Sequence, residues 1–240
     1  MGFAPSMIAF APGLALGAWL NNVASQVPTE PLRVRLRSRC LRCGQPLGLL
    51  QSLALLAYVW RGGRCARCGA RRSLRYPALE LVTGSLFVAC FLRFGLSGRA
   101  FVAAAFVGVM VVLAAIDLEQ RILPNAIVLP TSVAILFANI VVEPDRTLEW
   151  VVAAFASSLV LLALALAYRG ALGMGDVKLA FLLGAGLGKG VLLAFLVGFV
   201  AAGLAALVII GRRGFAARKE AIPLGPFLAA GAVVALMVVQ

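Results

Sequence analysis

The sequence has no histidine among its 240 residues. Catalytic arrangements that use histidine as the base, and hydrolase sites that bind zinc through histidine, are therefore excluded. A Walker A phosphate-binding loop is also missing, and the Gly-x-Gly at 173–175 is not a dinucleotide-binding fingerprint. Charged residues make up only 13% of the chain, and nine of them are Asp or Glu. Acid–base chemistry must therefore come from a small set of carboxylates, which can be considered one by one.

Apolar residues, in contrast, make up 62% of the chain, which is a membrane-protein composition. Most of the apolar segments reach the roughly 17–25 residues that a transmembrane helix needs. They lie at about 6–26, 77–95, 99–116, 125–142, 149–168, 177–188, 190–210 and 222–239. We therefore predict an all-α fold, a polytopic membrane bundle of about eight transmembrane helices. The first segment is interpreted as a retained helix rather than a signal peptide.

The net charge of +13 does not indicate nucleic-acid binding, because the basic residues are concentrated in loops. Eleven of the 22 Lys and Arg residues fall within 28–76, and four more fall within 211–221. Basic residues collect in cytoplasmic loops, so both loops are expected on the cytoplasmic side. The short 177–188 segment must then cross the membrane, since otherwise the loop at 211–221 would lie outside. Eight passes also place the loops at 117–124 and 169–176 in the cytoplasm.

The first of these basic loops contains four cysteines in the pattern C-x2-C-x21-C-x2-C: Cys40, Cys43, Cys65 and Cys68. Paired CxxC knuckles are typical of structural zinc sites, and a reducing compartment disfavours disulfides. A redox pair and unoccupied thiols remain as alternatives. Cys90, inside an apolar segment, is interpreted as a small buried hydrophobe. The resulting division has a first transmembrane helix at 1–27, a cytoplasmic basic four-cysteine module at 28–76 and a catalytic helix bundle at 77–240.

Two aspartates lie beside apolar segments on the same predicted side of the membrane. Asp117 occurs in the phrase IDLEQRILPN, and Asp176 follows Gly173 and Gly175 in LGMGDVKL. Taken singly, Asp117 could be a helix-end residue in water and Asp176 a helix N-cap. Together they suit a carboxylate pair that activates water, since ionisable groups at membrane depth are costly and therefore functional candidates. The two glycines would let backbone approach a partner or substrate closely.

The ends of the helices predict different protonation of the two aspartates. Asp176 opens a helix and should be the ionised base, with Lys178 two residues on adding positive charge. Asp117 closes a helix, where unpaired carbonyls disfavour negative charge, and should be the protonated acid. Glu80 is a third acidic candidate inside an apolar segment. It could support catalysis or pair with an arginine such as Arg75.

These phrases, in this order, resemble the type IV prepilin peptidases, GxGD-type aspartic proteases that process prepilins and type II secretion pseudopilins. The resemblance extends from about Gly13 to Gly231. It is carried by GAWLNNV at 17–23, both CxxC knuckles, RYPALELVTG at 75–84, the two aspartate phrases and IPLGPF at 222–227. It implies that Asp117 and Asp176 are the catalytic pair and that the four cysteines form a zinc-type module. Many members also N-methylate the new N-terminus with S-adenosylmethionine.

The leading hypothesis is therefore a multi-pass enzyme of the bacterial inner membrane that cleaves short basic leaders at the cytoplasmic face. Its expected partners are prepilin or pseudopilin substrates and the lipid bilayer, without nucleic acid. Asn125 departs from the family pattern, which often has Asp after Leu-Pro, and so does the text after Gly44. A transporter or channel that uses the two aspartates as ion ligands is the alternative. A thiol oxidoreductase using the CxxC pairs is a third hypothesis, but it leaves the aspartates unexplained.

Overall fold

A computed structural model describes residues 10–26, 40, 42–44, 53–65, 67–71, 73–168, 173–214 and 223–239. Some residues used in the sequence analysis lie outside these ranges. They include the arginines between 33 and 39, the residues 45–52 that follow Gly44, Arg72, Leu172, the basic residues Arg218 and Lys219, and Ile222.

Nine α-helices occur in the described part of the chain. They are α1 (Phe10–Gln26), α2 (Ala54–Arg61), α3 (Arg75–Phe94), α4 (Gly98–Gln120), α5 (Asn125–Val142), α6 (Thr147–Ala167), α7 (Met174–Leu187), α8 (Val191–Arg213) and α9 (Gly225–Val238). Two 3-10 turns, Pro144–Arg146 and Gly188–Gly190, precede α6 and α8. Within the described ranges no β-strand forms, and an isolated bridge joins Arg64 to Arg71. The all-α prediction is confirmed, and each predicted apolar segment corresponds to a helix.

The end of α4 differs from the sequence prediction in a way that matters for Asp117. The helix continues to Gln120, so Asp117 lies inside its last turn rather than after it. The backbone N–H of Arg121 then donates to the carbonyl of Asp117 at 2.9 Å, and Arg121 takes a left-handed φ of 55°. A left-handed residue directly after the last turn is a common way to end a helix. Pro124, in extended conformation, is the cap from which α5 begins.

The described chain contains five helical segments that are long and apolar enough to cross a membrane. They are Arg75–Phe94, Gly98–Gln120, Asn125–Val142, Pro144–Ala167 and Met174–Arg213, with α1 and α9 as shorter apolar helices. Large apolar side chains on these segments point outward, including Phe137, Phe155 and Leu204. Outward apolar faces of this extent are expected where lipid is the solvent. The chain is a multi-pass membrane protein; the count of eight passes stays a prediction.

The backbone divides into two compact units, Met1–Ala104 and Ala105–Gln240. In the first unit, α1 packs on α3 through small residues. A Cβ atom added to Gly13 would lie 2.9 Å from the Cα of Gly84, and one on Gly17 would lie 3.0 Å from the Cα of Glu80. Small residues of this kind let two helix backbones approach closely, as in many membrane proteins.

In the second unit, α7 is the central helix and packs mainly on α6 and α5. Most of its residues are buried, including every position from Leu182 to Leu187. Gly184 lies against the carbonyl of Ala153 in α6, and Gly186 lies against the ring of Phe106 in α4. The bundle therefore encloses the helix whose first turn carries Asp176.

Candidate functional site

Asp117 lies in the last turn of α4 and is almost completely buried, with 6% of its surface exposed. Its Oδ2 accepts a hydrogen bond from the backbone N–H of Gly225 at 2.8 Å. Gly225 is the first residue of α9, so its N–H has no partner within its own helix. A carboxylate at this position meets both a free donor and the positive end of the α9 dipole.

Asp176 lies in the first turn of α7 and is half-buried. It is the third residue of the helix rather than its cap, because the cap is Gly173. The backbone N–H of Gly173 donates to Asp176 Oδ2 at 3.3 Å, as in a capping box. The carboxylate therefore folds back over the turn that precedes α7.

Two contacts join the chain segment after Asp117 to the start of α7. Leu123 packs on Gly175, where an added Cβ would lie 3.1 Å from the Cβ of Leu123. The ammonium group of Lys178 donates to Asn125 Oδ1 at 2.7 Å. Through these contacts the two aspartate phrases, far apart in sequence, lie side by side.

Polar side chains from neighbouring helices fix α7 along its length. Ser157 in α6 donates to the carbonyl of Ala180 at 2.7 Å, and Asn139 in α5 donates to the carbonyl of Ala185 at 2.8 Å. Ser158 donates to the carbonyl of Val177 at 3.1 Å. The carbonyl of Ala185 lies in the last turn of α7, where helix carbonyls lack backbone partners. These bonds determine where the first turn, and thus Asp176, is placed.

Sequence reasoning did not assign a role to Gly225, Ser157, Ser158 or Asn139. The text around Gly225 was part of the resemblance, but nothing in it indicates that an N–H 108 residues after Asp117 would reach that carboxylate. The polar residues occur singly inside apolar helices. An unexplained Ser or Asn at a membrane-spanning position is the only signal that could have marked them.

The four cysteines meet in the first unit. Their sulfur atoms all lie within 4.8 Å of one another, with Cys40 Sγ 3.7 Å from Cys68 Sγ and Cys43 Sγ 4.0 Å from Cys65 Sγ. All four are free thiols, since a disulfide bond would need about 2.05 Å. A tetrahedral ion with metal–sulfur bonds of about 2.3 Å separates its ligand sulfurs by about 3.8 Å. The cluster fits such an ion and could hold one.

The two knuckles have the same backbone geometry. Gly44 donates to the carbonyl of Cys40 at 2.8 Å and Gly69 to that of Cys65 at 3.0 Å, and both glycines have left-handed φ angles of 69° and 67°. Backbone N–H groups of Cys43 and Arg42 lower the pKa of the Cys40 thiol. The N–H groups of Cys68 and Arg67 lower the pKa of the Cys65 thiol to about 6. The first cysteine of each knuckle thus favours the thiolate, the form that binds metal, whereas burial and hydrogen bonds to the other three thiols raise the pKa of Cys68 to about 11.

Glu80, the remaining acidic candidate, lies in α3 and is completely buried. Its Oε1 accepts the backbone N–H of Ala54 at 2.7 Å, and its Oε2 accepts that of Leu55 at 2.8 Å. Both donors belong to the first turn of α2, a partner that the sequence analysis did not consider. The carboxylate therefore connects the module that carries the cysteines with α3.

Comparison with known proteins matches the two parts of the chain separately. Residues 12–94 match a family described as the bacterial peptidase A24 N-terminal domain, and residues 104–208 match the type IV leader peptidase family. The second match contains both Asp117 and Asp176, and the first contains all four cysteines and Glu80.

Several curated proteins with the name prepilin leader peptidase/N-methyltransferase are similar to this chain. The protein of Bacillus subtilis is 31% identical over 233 residues, which cover 96% of this chain and 93% of that protein. The protein of Burkholderia pseudomallei is 32% identical, over 91% of this chain and 75% of its own length. The protein of Myxococcus xanthus is 42% identical over 125 residues, which are 52% of this chain and 37% of that protein. No solved structure matches.

Proposed function

Because this chain belongs to the type IV leader peptidase family, we propose that it is an integral-membrane aspartic endopeptidase. Its substrates are prepilins or type II secretion pseudopilins, from which it removes a short basic leader. The observation that carries this proposal is that the segments around the two aspartates lie side by side, with each aspartate at a helix end and bonded to a backbone N–H. The comparisons give no support to a transporter, a channel or a thiol oxidoreductase.

In the proposed reaction, Asp117 and Asp176 share one proton, because two close carboxylates resist double ionisation. The ionised carboxylate takes a proton from water, and the water oxygen attacks the scissile carbonyl carbon. The protonated carboxyl group donates to the carbonyl oxygen, which stabilises the tetrahedral intermediate. When the intermediate collapses, the C–N bond breaks and the carboxyl group that took the proton from water gives it to the departing amine. The other carboxylate recovers its proton from a hydroxyl group of the intermediate, which restores the starting state of the pair.

The neighbouring groups position the two acids in this scheme. The N–H of Gly225 orients Asp117, and the N–H of Gly173 orients Asp176. Lys178 supports the site through its bond to Asn125, which keeps the starts of α5 and α7 together. Gly175 supports it by letting Leu123 approach α7. A site preorganised in this way loses little free energy to reorganisation during the reaction.

The proposal places the enzyme in the bacterial inner membrane with this site at the cytoplasmic face. The distribution of basic residues supports this orientation, since exposed arginines surround the cysteines and a further pair ends α8. A basic leader would remain in the cytoplasm while the following apolar segment of the substrate enters the bilayer. The bond to be cleaved would then lie at the depth of the aspartates.

We further propose that the four-cysteine cluster binds zinc in a structural role. Four thiolates at tetrahedral spacing suit Zn²⁺, and a closed set of four protein ligands leaves no position for catalysis at the ion. The names of the relatives also include N-methyltransferase activity. We extend that activity to this chain, with S-adenosylmethionine as methyl donor, on the basis of those names and the resemblance.

The test of the main proposal uses the purified chain in liposomes with a prepilin substrate. We expect the prepilin to be converted to a shorter form that lacks the leader. This conversion should require both Asp117 and Asp176 of the enzyme. A parallel incubation with isotope-labelled S-adenosylmethionine measures whether the new N-terminus is methylated. Absence of leader removal by a folded protein, with several prepilins, would contradict the peptidase proposal.

A further inference from the structure

The contact between Glu80 and α2 is unusual because it buries a carboxylate completely inside the first unit. Both oxygens of Glu80 accept backbone N–H groups, from Ala54 at 2.7 Å and Leu55 at 2.8 Å, and none of its surface is exposed. Gly17 lets the backbone of α1 approach the Cα of Glu80 closely. Burying a carboxylate is costly unless charge-assisted hydrogen bonds compensate, so this contact is a specific feature of the fold.

The contact supplies hydrogen-bond acceptors for the first turn of α2, which has none from its own cap residue. This helix has only eight residues, and its cap residue Leu53 makes no side-chain hydrogen bond to the first turn. Helices this short are unstable alone, and the first N–H groups of any helix need partners from elsewhere. Glu80 provides two acceptors and a negative charge at the positive end of the helix. Ala54 and Ala57, both buried, complete the packing of α2 on α3.

The course of the chain connects α2 directly to the metal-type cluster. Helix α2 ends at Arg61, and Gly62 and Gly63 turn the chain so that Cys65 follows within four residues. After Cys68 the chain enters α3 at Arg75. The second knuckle therefore lies in a loop that is closed at one end by α3 itself and at the other end by the Glu80 contact.

From this arrangement we infer that Glu80 is a positioning residue for the four-cysteine cluster rather than a catalytic acid. Its carboxylate fixes the first turn of α2 to α3, and α2 in turn fixes the second knuckle against the first. The cluster retains its metal only while this contact is made. This inference rests in part on the proposed zinc site. The rate of zinc release tests it only if the cluster binds zinc, whereas the rate of thiol alkylation tests it in metal-free protein.

Two variants disrupt the contact, one by changing the acceptor, Glu80, and the other by changing a donor, Ala54. Glu80→Gln keeps the shape but replaces one acceptor oxygen with a donor group. Ala54→Pro removes one donor and displaces the carboxylate from that nitrogen without changing the residue at position 80. Proline is well tolerated at the first position of a helix. Leu53, with φ −73° and ψ 101°, already has the extended conformation that the residue before a proline prefers. Ser85→Ala, at an exposed position on the same helix α3, is the matched control.

The first measurement is the rate at which the purified, zinc-loaded protein releases zinc to an excess of chelator. The second is the rate of alkylation of the module thiols in metal-free protein, with the completely buried Cys90 as an internal control for folding. We expect Glu80→Gln to increase both rates at least about tenfold, the change expected from one lost hydrogen bond to a charged group. Ser85→Ala should leave both rates unchanged.

A variant that combines Glu80→Gln with Ala54→Pro tests whether Glu80 acts through α2. If it does, the effects of Glu80→Gln and Ala54→Pro are not additive, because each removes part of the same contact. Unchanged rates in both single variants, or effects that simply multiply in the double variant, would overturn the inference. A wild-type protein that binds no zinc refutes the zinc proposal instead, and the alkylation rates of the metal-free protein still test the role of Glu80.

Discussion

The carboxylate of Asp117 and the backbone N–H of Gly225 are 2.8 Å apart, at a buried position where α4 ends and α9 begins. This relationship changes the comparison between the two aspartates. From the sequence alone, Asp176 is predicted at a helix start and Asp117 at a helix end. In the structure Asp117 also faces a helix start, although the helix belongs to a distant part of the chain. The positions of the two aspartates at helix ends therefore no longer indicate which one is protonated, and the protonation assignment stays a prediction.

The bond also makes Gly225 sensitive to the smallest substitution. A Cβ at this position would lie 2.7 Å from Asp117 Oδ2, closer than real Cβ contacts. We expect Gly225→Ala to displace the carboxylate and to lower kcat for leader cleavage by about tenfold to a hundredfold, with a smaller effect on KM. Gly211→Ala, at a position with open space around it, is the control. A Gly225→Ala variant with wild-type kcat would exclude a role for this contact.

Replacement of either aspartate tests the proposed pair directly. Asp117→Asn and Asp176→Asn should each lower the rate of leader cleavage by about 10²- to 10⁴-fold while the protein still inserts, because neither carboxylate can perform both proton transfers. Asp145→Asn makes the same chemical change at an exposed position in the turn before α6 and should have no effect. Near wild-type turnover in either site variant means that the pair is wrongly assigned. Carboxyl infrared titration of the two variants then measures which aspartate is ionised.

The cysteine cluster predicts a measurable metal content. Purified protein should contain about one zinc ion per chain, as expected for a four-thiolate site. Replacing Cys40 and Cys43 together with serine should release it and increase cleavage of the 28–76 region by trypsin, with a smaller effect on leader cleavage. Cys90→Ala, which leaves the four sulfurs intact, should retain the metal. Detection of a disulfide and no zinc in the wild-type protein would reverse this interpretation.

Close packing around α7 predicts a sharp difference between two glycines. A Cβ on Gly184 would meet the carbonyl oxygen of Ala153 and lie 2.6 Å from Ser157 Oγ, whereas Gly203 has nothing within 4 Å. We expect Gly184→Ala to lower the free energy of unfolding by about 1–3 kcal/mol, as overpacking does in other cores. Gly203→Ala should be neutral. Unfolding in mixed micelles, followed by tryptophan fluorescence, measures both; equal stabilities would show that α6 and α7 can move apart without cost.

Local patterns in the sequence predicted the helices and the four-cysteine cluster well, for a physical reason. Apolar runs must become helices in a membrane, since every backbone group needs an internal partner there. Ligand spacing in CxxC knuckles is likewise a local property. The contacts of Gly225 with Asp117 and of α2 with Glu80 could not be predicted in this way. Each uses a backbone N–H, which every residue except proline has, and joins residues far apart in the chain.

The bonds from Ser157, Ser158 and Asn139 to the carbonyls of α7 have a consequence for how substrate preference can diverge within such a scaffold. Single positions of α7 cannot be repacked independently. Each of these side chains bonds to one carbonyl of the helix, and Gly184 and Gly186 lie directly against atoms of neighbouring helices. Adaptation to a new substrate must therefore avoid this helix beyond its first turns. Libraries intended to redirect cleavage should vary the exposed Met174 and Ile122, and should leave residues 179–190 untouched.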